Sequence, residues 1–163
     1  MNILYFGGQK SGKSRLAESK ALEIATTKPY YIATYDSSYV DSEMQLRISK
    51  HIESRGDRFV TIEESRDIAN HIDSSQTYLI DCISMWILNT LDSDIDTLLG
   101  ELKDISHRDA NIIFVLNDVN SGIIPLDSQS RRYVDRSGLI GQELAKLCDS
   151  VYEVKLGLPI KLK

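Results

Sequence analysis

Two groups of residues in this chain have types and spacings suited to phosphate chemistry. The first, Gly7-Gly8-Gln9-Lys10-Ser11-Gly12-Lys13-Ser14, reads G-x-x-x-x-G-K-S, a pattern whose glycines let backbone N–H groups curl around phosphate oxygens. Lys13 would meet the β- and γ-phosphates, and Ser14 would offer its hydroxyl to Mg²⁺. A helix starting at Lys13 adds roughly half a positive charge at its N-terminus. Asp81 closes the apolar run Tyr78-Leu79-Ile80 and is the natural acidic partner for that ion; an ordinary strand-end aspartate or helix cap is the plainer reading of it.

The second group is Glu43, Arg47, His51 and Arg55, a row at four-residue spacing beside the apolar stripe Met44, Ile48 and Ile52. Residues four apart share one face of a helix. The row sets an imidazole between two guanidiniums, which suits a triphosphate and disfavours the imidazolium form. A neutral imidazole is a competent nucleophile. A histidine on a charged helical face is more often simply solvated, with Arg47 and Arg55 merely paired to Glu43 and nearby acids, and spacing alone does not decide between the two. His71 and His107 sit in polar surroundings without such a row and read as structural.

These residues need elements to hold them. Ile3 to Phe6 reads as a strand, Gly7-Gly8 as a turn, and Lys13 to Ala25 as a helix, the order that the phosphate-loop pattern requires. Further strands are expected at Tyr30 to Thr34, Phe59 to Ile62, Tyr78 to Ile80, Asn111 to Leu116 and Val151 to Leu156. Helices are expected from Ser42, where Ser42 and Gln45 have capping-box spacing, to Arg55; from Ser65 to Ile72; from Asp94 to Leu102; and from Asp127 to about Cys148. Asp36 to Asp41 and Asn117 to Pro125 read as loops, and Gly157-Leu158-Pro159 as a final turn. Strands alternating with helices predict an α/β P-loop fold with a mainly parallel sheet covered on both faces. Ligands in such sheets lie beyond the carboxyl ends of the strands.

The chain has 163 residues, 42% hydrophobic and 26% charged, with net charge -5. That length suits one domain, residues 1–163. The acidic balance predicts no nucleic-acid partner and no attraction to an anionic membrane, so an anionic ligand must be held locally. No apolar stretch approaches the ~18–20 residues needed to span a bilayer. Met1 to Phe6 runs into the glycines without a secretory leader, which makes the cytoplasm the expected location. Cys82 and Cys148 lack metal or redox spacing and read as buried reduced thiols.

Taken together, the motifs resemble those of the bifunctional adenosylcobinamide kinase/adenosylcobinamide-phosphate guanylyltransferases of cobalamin nucleotide-loop assembly. The likeness spans nearly the whole chain. It rests on Gly7-Gly8-x-x-Ser11-Gly12-Lys13-Ser14-Arg15, Tyr31-Ile32-Ala33-Thr34, and Asp41-x-Glu43-Met44-x-x-Arg47-Ile48-x-x-His51-x-x-x-Arg55. It continues through Thr61-x-Glu63-Glu64, Asp81-Cys82-x-Ser84-x-Trp86, Gly122-Ile123-x-Pro125, Arg131-Arg132 and Gly157-Leu158-Pro159.

The resemblance implies a nucleotidyltransferase with two steps. GTP or ATP first phosphorylates the side-chain hydroxyl of adenosylcobinamide; GTP then guanylylates a histidine, and GMP passes to adenosylcobinamide phosphate. Splitting a displacement in this way is a recognised use of a histidine nucleophile. By motif position the resemblance makes His51 the GMP carrier and Lys13 its catalytic companion. Gly7 to Ser14, Ile32, Ala33, Thr34, Ile52, Glu53, Ser54, Arg55 and Glu63 would line the nucleotide site, with Ser14 and Asp81 at Mg²⁺. Glu63 would accept hydrogen bonds from the N1 and N2 donors of guanine. Arg131 and Arg132 would reach substrate phosphate, a solvated basic pair being the alternative. A homotrimer is implied as well.

The chain departs from the family in one region. Asn117-Asp118-Val119-Asn120-Ser121-Gly122 stands where Asn-Glu-Val-Gly-Met-Gly is usual, Leu126-Asp127 replaces Glu-Asn, and Leu139 and Gly141 stand where Arg and Asn are common. These changes bear on corrinoid recognition or the kinase step rather than on GTP binding. A one-step small-molecule kinase, which would use the loop and Asp81 but not His51, is the competing reading. A GTPase switch is disfavoured because Asn117-Asp118-Val119-Asn120 lacks the lysine and final aspartate of NKxD.

Overall fold

Short runs rich in aromatic and branched residues supply strands that can be covered on both sides. In the computed structural model, which describes residues 1–36 and 56–163, they build a seven-stranded sheet in the order β3-β2-β4-β5-β1-β6-β7. The strands are β1 (Asn2–Gly7), β2 (Tyr30–Ala33), β3 (Val60–Glu63), β4 (Thr77–Asp81), β5 (Asn111–Asn117), β6 (Ser150–Lys155) and β7 (Leu158–Lys161). Every neighbouring pair is parallel except β6 with β7. The predicted helix from Ser42 to Arg55, with Ile52, Glu53, Ser54 and His51, lies outside the described residues.

Alternation along each strand sends its side chains to opposite faces. Ile3, Tyr5, Leu79, Ile113 and Val115 pack with Ala17 and Ala21 of α1 (Lys13–Ile24). Leu4, Tyr78, Ile80, Ile112 and Phe114 pack against α2 (Ile83–Asn89), α3 (Ile95–His107) and α4 (Ser128–Leu147). Helices on both faces follow from that division. Asp94 caps α3 by accepting from the Asp96 and Thr97 amides, and Asp127 caps α4 by accepting from Ser130 at 2.7 Å. No helix among the described residues is long and apolar enough to cross a membrane.

Three expectations change. The helix predicted from Ser65 to Ile72 is only a 3-10 turn, Ile68–His71. The Glu64 carboxylate takes the Arg66 and Asp67 amides, and Trp86 Nε1 donates to the Arg66 carbonyl, so the groups a helix would use are committed elsewhere. Helix α2 was not expected, being seven residues long and buried on several sides, with no period to read. The last turn opens a further antiparallel strand, β7, in which Pro159 is tolerated because it lies on the sheet edge.

Candidate functional site

Six parallel strands bring Gly7, Ala33, Glu63, Asp81 and Asn117 to one carboxyl edge, with Gly7 beside Asn117 and Ala33 between Glu63 and Asp81. Strand β5 alone separates β4 from β1. Asp81 therefore faces the start of the glycine loop across two strand spacings, roughly 10 Å.

The loop is shaped by close backbone contacts. A Cβ on Gly7 would collide with the Val154 carbonyl, and one on Gly12, at φ +97°, would lie 3.2 Å from the Gly157 Cα. The Ser11 amide donates to the Gly8 carbonyl at 3.2 Å, and the Gly157 amide donates to the Ser11 carbonyl at 2.8 Å. Helix α1 starts without a side-chain cap and without an acidic residue in its first turn. Its first amides and its dipole are left for an anion.

Two side chains mark where that anion belongs. Ser11 Oγ is buried with no hydrogen-bond partner among the described residues, a state that costs free energy until a ligand or water fills it. Lys13 is 6% exposed, and its Nζ donates to the Gly8 carbonyl at 3.1 Å. Burial holds its pKa below the usual lysine value, while the Asp81 charge opposes that shift. A buried ammonium beside an uncapped helix start can seat a phosphate.

Asp81 accepts a hydrogen bond from the Tyr31 hydroxyl at 2.9 Å through Oδ2, and its other oxygen has no partner among the described residues. A free carboxylate oxygen and the Ser14 hydroxyl are hard donors that fit Mg²⁺, which takes one or two protein oxygens and completes its shell with water and substrate phosphates. Among the described residues no group of three histidines, cysteines or carboxylates could cage a metal alone.

The remaining expected site residues divide. Thr34 is fully buried; its hydroxyl donates to the Cys82 carbonyl at 2.7 Å and accepts from the Cys82 amide at 2.9 Å. It ties β2 to β4, and its backbone is engaged as well: the amide donates to the Asp81 carbonyl at 3.4 Å and the carbonyl accepts from Asn89 Nδ2 at 2.7 Å. Ile32 is likewise fully buried in the core, whereas Ala33 stands at the edge. Burial and the Asp81 charge raise the Cys82 thiol to about 11, so it stays protonated and inert. Glu63 is exposed at the end of the outer strand β3, four strand spacings from β1, roughly 19 Å. A phosphate cannot link the two; a whole nucleotide lying along the edge can approach that reach.

Arg131 does not project toward a ligand: it donates to the carbonyls of Pro125, at 3.0 Å, and Leu126. Both arginines are exposed, and Arg132 is the one with no acceptor among the described residues. The substituted loop holds itself, with Asp118 accepting from the Asn120 amide at 3.1 Å and the Ser121 hydroxyl at 2.7 Å. Asn120 Nδ2 donates to the Val134 carbonyl, and a Cβ on Gly138 would come within 3.1 Å of it. Sequence reasoning missed Tyr31 as the partner of Asp81. It also missed the role of Ser84, whose Oγ accepts from the Asn117 amide at 2.7 Å. Only the quoted Asp81-Cys82-x-Ser84 run hinted at the latter.

Comparison with known proteins extends this picture. Residues 3–162 match the family model described as cobinamide kinase / cobinamide phosphate guanyltransferase. The chain is 36% identical to the bifunctional adenosylcobalamin biosynthesis protein CobP of Pseudomonas aeruginosa, over 100% of this chain and 98% of that one. It is 30% identical to the bifunctional protein CobU of Escherichia coli, with both chains covered completely. Among solved structures it is similar to the flagellar accessory protein FlaH of Methanocaldococcus jannaschii, with TM-score 0.54, 13% identity, and 99% of this chain and 77% of that chain covered. A solved ATPase domain aligns with TM-score 0.51 at 10% identity, covering 93% of this chain and 68% of that chain. The latter two show the α/β P-loop fold and nothing finer.

Proposed function

This chain belongs to the cobinamide kinase / cobinamide phosphate guanyltransferase family, and from that we propose that it makes adenosylcobinamide-GDP in two reactions, the second through a GMP-histidine. In the first, the acceptor hydroxyl oxygen attacks the γ-phosphorus of GTP or ATP. Nucleoside diphosphate leaves and the hydroxyl proton is released. In the second, an imidazole nitrogen of His51 attacks the α-phosphorus of GTP and expels pyrophosphate. A phosphate oxygen of adenosylcobinamide phosphate then attacks the same phosphorus and breaks its bond to nitrogen.

The observation that carries this reading is the phosphate seat: Lys13, buried and deprived of water, beside the unpartnered Ser11 hydroxyl and the uncapped start of α1. Gly7 to Ser14 would fix the triphosphate, and Lys13 would stabilise charge as it moves onto the leaving oxygens. Bound at Ser14 and Asp81, Mg²⁺ would supply further charge neutralisation. Ile32, Ala33 and Thr34 would form the floor of the nucleotide site, with Ala33 at its edge, and Ile52, Glu53, Ser54, Arg55 and Glu63 would line the guanine nucleotide. One domain, a cytoplasmic setting and a homotrimer belong to the same reading.

Intact-protein mass spectrometry after incubation with GTP and Mg²⁺ tests it. The parent protein should gain one GMP-sized adduct that adenosylcobinamide phosphate discharges, and His51→Ala should gain none. An equal adduct on that variant would remove His51 as the carrier. If neither protein is modified while adenosylcobinamide is still phosphorylated, the one-step kinase reading stands instead.

A further inference from the structure

Away from the glycine loop, a cleft of about 660 Å³ opens between the end of α2 and the first turns of α4; its lining includes Arg66, Leu88, Asn89, Gln129 and Arg132, together with Asp92, whose carboxylate is paired with Arg66. It lies over the carboxyl edge of the sheet. Asn89 Nδ2 donates to the carbonyls of Thr34, at 2.7 Å, and Ser65, at 3.0 Å, the residues just past β2 and β3.

The cations around the cleft are unequally satisfied. Arg66 donates to the Asn89 carbonyl and pairs with Asp92 at 2.8 Å. Arg136, buried, donates to the carbonyls of Thr90 at 3.1 Å and Ser93 at 2.6 Å. Arg132 is exposed and has no acceptor among the described residues, although it stands one helical turn from Arg136, a spacing at which like charges repel. An anion in the cleft would relieve that repulsion and match the planar fork of Arg132. Next to the same helix start, Ile123, Ile124 and Leu126 are 96%, 78% and 98% exposed. Their loop is held by the Arg131 clamp on Pro125 and Leu126. Apolar side chains on a braced loop beside an unsatisfied guanidinium suit a bulky amphipathic molecule that ends in a phosphate.

We propose that this cleft and the loop beside it form the acceptor site, in which Arg132, in the cleft, binds the phosphate of adenosylcobinamide phosphate and Ile123, Ile124 and Leu126, on the loop, receive the corrinoid body. The choice of occupant rests on the function proposed above; the anion site itself does not.

Equilibrium binding of adenosylcobinamide phosphate and of unphosphorylated adenosylcobinamide to the full chain separates the two. The parent should prefer the phosphorylated corrinoid. Arg132→Gln should weaken that ligand by roughly ten- to a hundredfold, the range for losing a charged hydrogen bond, and leave the unphosphorylated one unchanged; Arg132→Lys should recover part of the loss. Ile124→Ser with Leu126→Ser should weaken both ligands alike. A retained preference for phosphate in Arg132→Gln would overturn the assignment of Arg132. Unchanged corrinoid affinity in the double variant, with subunits dissociating in light scattering, would make the loop a surface between copies of this chain and overturn the landing surface. A parent that binds the corrinoid phosphate but forms no GMP adduct would fail the covalent route while leaving the cleft assigned.

Discussion

The Gly157 amide donates to the Ser11 carbonyl at 2.8 Å, so the turn between β6 and β7 is also the outer wall of the phosphate loop. Gly157 adopts φ +82°, and its Cα lies 3.2 Å from where a Cβ on Gly12 would stand. The two glycines permit an approach that side chains would prevent. Gly157→Val should cost ~1–2 kcal/mol from the left-handed backbone alone and lower the melting temperature by several degrees. Nucleotide affinity should fall with it. Thermal unfolding with and without GTP measures both; a variant with unchanged affinity would mean that the turn does not shape the loop.

In the proposed reactions Lys13 would stabilise charge at the expense of its own solvation, being 6% exposed. Lys13→Met should reduce turnover in both reactions by about 10²–10³-fold, the effect of losing one aimed donor. Because the folded protein no longer buries an ammonium, the melting temperature without nucleotide should hold or rise. A marked loss of stability would show that Lys13 serves the fold rather than the site.

The same lysine sets a pH dependence. Its pKa in the free protein is depressed by burial, and a bound triphosphate favours the charged form and raises it. Nucleotide binding therefore takes up a proton at alkaline pH, and affinity declines as pH rises through the depressed value of the free protein. Calorimetry in buffers of different ionisation enthalpy should detect that uptake in the parent and not in Lys13→Met.

Asp81→Asn keeps an oxygen that can accept from the Tyr31 hydroxyl, so the fold should survive. The concentration of Mg²⁺ for half-maximal activity should rise by roughly tenfold or more, the scale on which altered ligand surroundings weaken metal sites. An unaltered Mg²⁺ requirement would leave Asp81 as a strand-end residue hydrogen-bonded to Tyr31.

Much of this was legible before any coordinates, because it is written in neighbouring residues. The order strand, Gly-rich loop, helix from Ile3 to Ala25 is local, and Asp94 and Asp127 cap the helices that follow them. Where sequence reasoning failed, the deciding partner was distant. Ser65 to Ile72 looks helical in isolation, yet Trp86 takes the Arg66 carbonyl from twenty residues away. Arg131 and Arg132 are adjacent, exposed and chemically alike, and only the path of the loop before α4 commits one to the Pro125 and Leu126 carbonyls and leaves the other without an acceptor among the described residues.

By itself the sequence determined the phosphate loop, the alternation that gives two covered sheet faces and the run of motifs that places the chain in its family, since each depends on spacing within a few residues or on order along the chain. Tertiary structure alone decided that Gly157 closes the loop, that Asp81 lies across a single strand from it and that Thr34 spends its hydroxyl on Cys82. Those outcomes depend on which strands become neighbours and which buried polar groups satisfy one another, and contacts across 48 or 146 residues of chain leave no local pattern to read.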